Sequence, residues 1–176
     1  MARSGWIGSA VLVVWMAGAR ATEGNEAAPL TRDASFRVRI VRPALAASVR
    51  AALEGASRRL TAPACTLVLS EYRDAGGRTL QANLDTLGES GPGYLALIGW
   101  YDGQGAAGCL RGRTLAVTAP GSRAVWVCPQ FALEQRRDPG LAEVTLLHEA
   151  LHSLGLGEDP PSAAEITSRV VARCGR

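Results

Sequence analysis

Hydrophobic residues in the first half of the chain recur with a period of two in one segment and with helical spacing in the next. Residues 36–41 alternate apolar side chains with arginines, and this pattern predicts a half-buried strand. Residues 44–60 carry leucine and valine at near-helical intervals with arginines between them, so we expect an amphipathic helix. Residues 80–87 have the pattern of a second, shorter helix.

Four further segments have the apolar content expected of strands. Residues 66–72 predict a second strand. Residues 94–101 form a nearly continuous apolar run, which is typical of a central strand buried on both faces. Residues 113–119 and 123–127 predict two strands joined by a hairpin turn at residues 120–122.

The pattern becomes helical from residue 131 onward. Asp138, Pro139 and Gly140 mark the start of a helix, and the glycines that follow residue 154 are expected to end it. A short C-terminal helix is predicted over residues 163–172. Together these elements predict an α+β domain with a mixed, mostly antiparallel sheet of about five strands.

The N-terminal segment has the features of an export signal. Arg3 precedes an apolar run, and a small-x-small site ends at Ala21, so residues 1–21 predict a signal peptide cleaved near Ala21. The apolar run is too short for a comfortable membrane span, and we expect no stable membrane anchor. Residues 22–35 predict a flexible N-terminal arm, and residues 36–176 a single domain that is secreted or periplasmic.

Charge gives no indication of a nucleic-acid partner. The chain has 19 basic and 16 acidic residues, and Arg3 and Arg20 would leave with the signal peptide. The remaining domain is nearly neutral, with scattered arginines in place of the basic stripe that nucleic-acid binding requires. We therefore expect no nucleic-acid binding, and we expect a monomer.

Four cysteines, Cys65, Cys109, Cys128 and Cys174, lie in the exported part. An even number of cysteines in an oxidising compartment predicts two disulfides, for which three pairings are possible. We favour Cys109 with Cys128, which flank the hairpin, and Cys65 with Cys174, which would tie the C-terminus to the sheet. A cysteine-rich zinc site is disfavoured because the chain has no C-x-x-C pair.

The most informative pattern is the pair of histidines at His148 and His152, the only two in the chain, with Glu149 between them. On a helix, a spacing of four residues places both imidazoles on one face, where they can bind one metal ion. Neutral imidazole is a good zinc ligand, and Glu149 is placed to act as a general base beside the metal.

The string from His148 to Glu158, H-E-x-x-H-x-x-G-x-x-E, resembles the extended signature of the zincin metallopeptidases, in particular the metzincin branch. The resemblance implies a zincin-like fold, a Zn²⁺ ion and a third ligand three residues after Gly155. It covers residues 36–158 in outline. The methionine turn that metzincins carry beneath the metal is missing, since the only methionines are Met1 and Met16.

Three carboxylates compete to be the third metal ligand. Glu158 matches the offset of the signature, and we favour it. Glu165 matches an alternative in which the next helix supplies the ligand, but together with Ser162 it also forms a capping box. Asp159 precedes a proline that holds it extended, so its direction is open.

The resemblance implies an exported, zinc-dependent metallopeptidase acting on a peptide or protein substrate, with Glu149 as its catalytic residue. By analogy, substrate would lie along an edge strand, for which residues 113–119 are the candidate. An oxyanion partner would have to be Tyr72, Tyr94, Tyr101, an arginine or the metal itself. The alternatives are a disulfide-stabilised, secreted metal-binding module without turnover and a purely structural helix.

Overall fold

In the computed structural model, residues 35–175 are described, and they form seven helices and four strands of an α+β fold. In chain order these are β1 Arg37–Arg39, α1 Pro43–Arg59, α2 Pro63–Glu71, α3 Leu80–Thr86, α4 Gly91–Leu97, β2 Gly99–Asp102, β3 Ala116–Val117, β4 Ala124–Val127, α5 Phe131–Arg137, α6 Pro139–Ser153 and α7 Ala163–Cys174. The predicted signal peptide and nearly all of the N-terminal arm lie outside the described residues. Within those residues, no helix is long and apolar enough to cross a membrane.

The sheet is mixed and has the strand order β1-β2-β4-β3. The pairings of β1 with β2 and of β2 with β4 are parallel, and only β3 pairs with β4 in antiparallel fashion. The expectation of a mostly antiparallel, five-stranded sheet is therefore wrong for residues 35–175. The long helical connection between β1 and β2 returns the chain in the same direction, as parallel pairing requires.

The strand predicted at residues 66–72 is instead α2. Pro63 occupies the first turn, where its missing N–H costs nothing, and the buried residues Cys65, Val68 and Leu69 have helical spacing. These side chains belong to the core, and α2 packs against α7. Packing of one helix face therefore outweighs the β-propensity of threonine and valine in this segment.

The apolar run at residues 94–101 is divided between α4 and β2. Ser90 caps α4 by accepting a hydrogen bond of 3.1 Å from the Gly93 amide, and Pro92 stands in the first turn. Ile98 is extended and ends the helix, so that only the second half of the run is a strand. The capping residue Ser90 lies before the apolar run, so the hydrophobic pattern of residues 94–101 alone does not predict the helix.

Both disulfides have the pairing that the sequence favoured. Cys65 is bonded to Cys174 and joins α2 to the end of α7. Cys109 is bonded to Cys128, on either side of the β3–β4 hairpin. The first disulfide ties the C-terminus to a helix and not to the sheet, because the segment around Cys65 is helical.

The core lies between the inner face of the sheet and the helices. Trp100, Val125 and Val127 point inward from β2 and β4 and are completely buried. They belong to the same apolar cluster as Leu53 of α1 and Leu146 of α6. The core thereby fixes α6 against the inner side of the sheet, with its histidines near the β3 edge.

Candidate metal centre

The sequence of α6 specifies both its start and its burial. Asp138 caps the helix by accepting a hydrogen bond of 3.0 Å from a first-turn amide, and Pro139 is the first helical residue. Near its other end, His148, Glu149 and His152 are only 8, 7 and 4 % exposed. Buried polar side chains need polar partners, so the surroundings of these three residues decide what they can do.

A tight turn at the end of α6 reverses the chain beside the histidines. Gly155 has a φ of 112°, a conformation that favours glycine. Its amide donates to the carbonyl of His152 at 2.8 Å, and the amide of Leu156 donates to the carbonyl of Leu151 at 3.1 Å. These two bonds form a Schellman motif. The motif sends residues 156–158 back past the imidazoles.

His148, His152 and Glu158 bring one ligand atom each to a common point. The two Nε2 atoms are 2.9 Å apart, and Oε1 of Glu158 lies 3.2 Å from Nε2 of His152 and 3.8 Å from that of His148. A triangle with these sides has a point about 2 Å from every corner, which matches usual zinc–nitrogen and zinc–oxygen distances. The donor set therefore fits a metal ion. Glu158 is 53 % exposed, so the cluster reaches solvent on its side.

Both imidazoles are held through their second nitrogen. Nδ1 of His152 donates to the Leu156 carbonyl at 2.8 Å, and Nδ1 of His148 lies 3.0 Å from Oγ1 of Thr167 on α7. A carbonyl can only accept, so the proton of neutral His152 is on Nδ1 and the lone pair is on Nε2. Such outer contacts orient metal-binding histidines and fix their tautomer.

Glu149 is buried beside the cluster, at the edge of the sheet. Burial raises its pKa to about 8 from the ordinary 4.5, and the charge of Glu158 raises it too, while a backbone hydrogen bond from Thr118 lowers it. Thr118 directly follows β3, so the carboxyl faces the edge strand. A carboxyl that titrates near neutral pH can accept a proton and return it.

The pKa of His148 is shifted in the opposite direction. Burial, and then the charge of His152, lower it to about 4. The His148 ring is therefore neutral at neutral pH, which is the form that binds metals. A cation in the cluster would stabilise this neutral ring and the ionised form of Glu149 together.

The two alternative third ligands lie outside the cluster. Glu165 closes a capping box, in which its Oε2 accepts from both the amide and the hydroxyl of Ser162 at 2.8 Å. Hydrogen bonding to Ser162 lowers the pKa of Glu165. Asp159 has a φ of 75° and is not among the residues whose ligand atoms converge. Of the three carboxylates, the structure brings only Glu158 to the histidines.

The three tyrosines considered as oxyanion partners make contacts elsewhere. The Tyr72 hydroxyl donates to the carbonyl of Glu165 at 3.5 Å, and that of Tyr94 shares a hydrogen bond of 2.9 Å with Ser153. Tyr101 packs its ring against a tryptophan of β4. In the described part of the chain, none of these hydroxyls is hydrogen-bonded to His148, His152 or Glu158.

Sequence reasoning missed three groups that surround the site. The Thr118 amide and the Leu156 carbonyl are backbone groups, which leave no signature in side-chain identity. Thr167 was placed on the last helix, and its position two residues after Glu165 could have marked it as a neighbour. Only the packing of α7 on α6 shows that its hydroxyl meets His148.

Comparisons with protein-family models, curated proteins and solved structures found no match to this chain. The site is therefore defined by its own geometry: two imidazoles and one carboxylate that converge, and a second carboxyl placed next to them. These are the components of a metal centre with a built-in proton acceptor.

Proposed function

We propose that this protein is an exported, zinc-dependent metallopeptidase, and that His148, His152 and Glu158 hold the zinc ion. The observation that carries the proposal is the convergence of the two Nε2 atoms and Oε1 within one coordination sphere, with Glu149 alongside. Two imidazoles and a carboxylate are a ligand set found at catalytic zinc, where a fourth position stays open.

The choice of zinc rests on the chemistry of the donors. Two neutral imidazoles suit zinc, copper, iron or nickel, whereas calcium and magnesium prefer oxygen ligands. The separations of 2.9 to 3.8 Å between the donor atoms fit a small ion with short bonds. Two disulfides indicate an oxidising compartment, which is consistent with export.

In the proposed reaction, zinc supplies Lewis acidity, which makes water more acidic and polarises a carbonyl. Glu149 accepts the proton of the attacking water and passes it to the leaving amine. Burial favours this step because it raises the pKa of Glu149, and the ionised carboxylate is therefore a stronger base than an exposed one. Thr167 and the Leu156 carbonyl hold the two imidazoles in place.

We further propose that the substrate binds in extended form beside β3. This strand lies at one edge of the sheet and is antiparallel to β4. Thr118, which follows it, also contacts Glu149 through its amide. A peptide paired with this edge would pass next to the general base, as β-strand addition permits.

A metal-binding module without turnover is the second candidate. The observation that favours it is that Tyr72, Tyr94 and Tyr101 make their contacts away from the cluster within the described residues, so none of them is placed to stabilise an oxyanion. Without a tyrosine donor, stabilisation of an oxyanion would fall to an arginine or to the metal itself. The two candidates share the metal site and differ only in the role of Glu149.

Substitution of Glu149 by glutamine separates the two candidates. We expect the wild type and E149Q each to bind one zinc ion, and only the wild type to cleave an unfolded protein substrate. Glu54→Gln, on an exposed position of α1, is the matched control and should behave as the wild type. Equal zinc binding with no cleavage by either protein, across a broad peptide library, would support the module. Absence of zinc from the wild type would exclude both candidates.

A further inference from the structure

The outer face of the sheet carries a group of arginine side chains, on the side away from the core. In the parallel pairing of β1 with β2, Arg37 lies next to Gly99 and Arg39 next to Tyr101. The two arginines are therefore on the same face of the sheet. Arg123, just before β4, completes the rim of a depression there. All three arginines are exposed.

No carboxylate lines this depression, and the three guanidiniums are without a carboxylate partner among residues 35–175. Elsewhere in the described domain, Arg42, Arg59, Arg169 and Arg173 form ion pairs. Three cations around one concave site repel one another, and an anion would reduce this repulsion. Guanidinium groups bind carboxylates through paired hydrogen bonds.

Two aromatic side chains lie on this face, Tyr101 on the floor of the depression and Trp126, 42 % exposed, beside it. A Cβ on Gly99 would lie only 2.6 Å from the Tyr101 ring, which shows that this ring covers the glycine. The other contact of Tyr101 is with Trp126, at 5.2 Å between ring centroids and tilted by 36°. Residues 22–176 are nearly neutral overall and lack the basic stripe that is typical of nucleic-acid-binding domains. This disfavours a single-stranded nucleic acid as the ligand.

The spacing of the arginines suits an extended polypeptide. Arg37 and Arg39 are two residues apart on one strand, so their side chains emerge about 7 Å from each other on the same face. Side chains at positions i and i+2 of an extended peptide have the same spacing. Acidic residues at alternate positions would therefore meet both arginines, and Arg123, about 10 Å across the sheet, would bind a further carboxylate.

We propose that the outer face of the sheet is a docking surface for an extended, acidic polypeptide segment whose alternate carboxylates bind Arg37, Arg39 and Arg123. The surface lies on the opposite side of the sheet from α6, whose residues pack in the core. Its occupant is a segment of a separate partner protein. At the Arg123 end the surface comes close to α6, because the Gly121 amide donates to the His152 carbonyl at 2.9 Å. The proposal does not depend on metal binding or on turnover.

Binding of labelled octapeptides to the full-length exported protein tests the proposal. A peptide of four Glu-Thr repeats should bind, and its Gln-Thr counterpart should not. The variant R37Q/R39Q/R123Q should bind the acidic peptide at least about tenfold more weakly, because three charge-assisted contacts are lost. The matched control R50Q/R58Q/R136Q, which removes three exposed arginines elsewhere, should bind as the wild type does.

Charge reversal and competing polyanions provide the decisive outcomes. R37E/R39E/R123E should lose the acidic peptide and gain binding of a Lys-Thr repeat, which a merely unfolded variant would not do. Equal affinity for the Glu-Thr repeat, a peptide with contiguous glutamates and oligothymidylate would overturn the proposal in favour of a non-specific polyanion surface. Unchanged binding by R37Q/R39Q/R123Q, or no binding by the wild type, would also overturn it.

Discussion

Nδ1 of His152 donates a hydrogen bond of 2.8 Å to the carbonyl oxygen of Leu156, the second residue after the end cap of its own helix. This bond joins the last turn of α6 to the segment that carries Glu158. The orientation of the second histidine and the position of the third candidate ligand thus depend on one local structure, the Schellman motif at Gly155. A change in that motif should therefore affect metal affinity and stability together.

Replacing Gly155 with alanine should weaken both properties. Its φ of 112° is strained for alanine, and the added Cβ would lie 3.0 Å from Cβ of Asp74. We expect a loss of about 1–3 kcal/mol in the free energy of unfolding. Zinc affinity, measured by competition with a chelator, should also fall because the Leu156 carbonyl and Glu158 shift.

Gly157→Ala is the matched control for this prediction. Gly157 is two residues further along, has no positive φ, and has open space around a Cβ. It should keep wild-type stability and zinc affinity. Equal effects of the two substitutions would show that Gly155 has no special part in the geometry of the site.

Thr167→Val should lower zinc affinity about 10- to 100-fold, because valine keeps the volume but removes the hydroxyl next to Nδ1 of His148. Thr167→Ser should restore most of the affinity. Thr145→Val is the control: its hydroxyl bonds to the Leu141 carbonyl within α6. An equal loss of affinity in both valine variants would indicate general destabilisation and contradict the prediction.

Sequence predicted the local elements that carry strong end signals. The Asp138-Pro139 start of α6, the glycine at its end and the capping box of Ser162 and Glu165 are all present. It failed at residues 66–72, where packing on α7 selects a helix, and in the direction of the strands. Strand direction depends on how distant segments pair, which no local pattern encodes.

In the candidate site too, local geometry could be predicted from the sequence, whereas contacts between distant segments could not. The spacing of His148 and His152 on one helix face follows from helical geometry, so their proximity could be predicted. The contact between His148 and Thr167 joins two helices and depends on their packing. The burial that shifts the pKa of Glu149 is likewise a property of the assembled domain, and the sequence pattern could not supply it.

Substitution of the three candidate carboxylates should identify the third ligand. Glu158→Gln should lower zinc affinity strongly, because it removes the charged oxygen nearest to both histidines. Asp159→Asn and Glu165→Gln should keep the wild-type affinity. Glu165→Gln should weaken the cap of α7 only slightly, because a glutamine at this position can still close the capping box. Loss of zinc from Asp159→Asn or Glu165→Gln with retention by Glu158→Gln would reverse the assignment.

The metal-free protein should become less stable as the pH rises from about 7 to 8. The pKa of Glu149 is about 8 in the folded state and near 4.5 when unfolded, so the folded state binds more protons across this interval. Stability present at low pH is then lost as the pH rises, by about 1 kcal/mol per pH unit. His148 adds little slope above pH 7, because the unfolded ring, with its ordinary pKa of 6.5, and the folded ring, with its lowered pKa, are both largely neutral there.

Urea unfolding in the presence of a chelator, at half-unit steps of pH, measures this slope. Glu149→Gln removes the titrating carboxyl and should give a nearly flat dependence between pH 7 and 8. Glu54→Gln, exposed on α1, should keep the slope of the wild type. Below about pH 7 the lowered pKa of His148 acts in the opposite sense, because the unfolded imidazole binds a proton and the folded one stays neutral. A wild-type slope that survives in Glu149→Gln would mean that another group titrates, and that Glu149 is not the buried proton acceptor of the site.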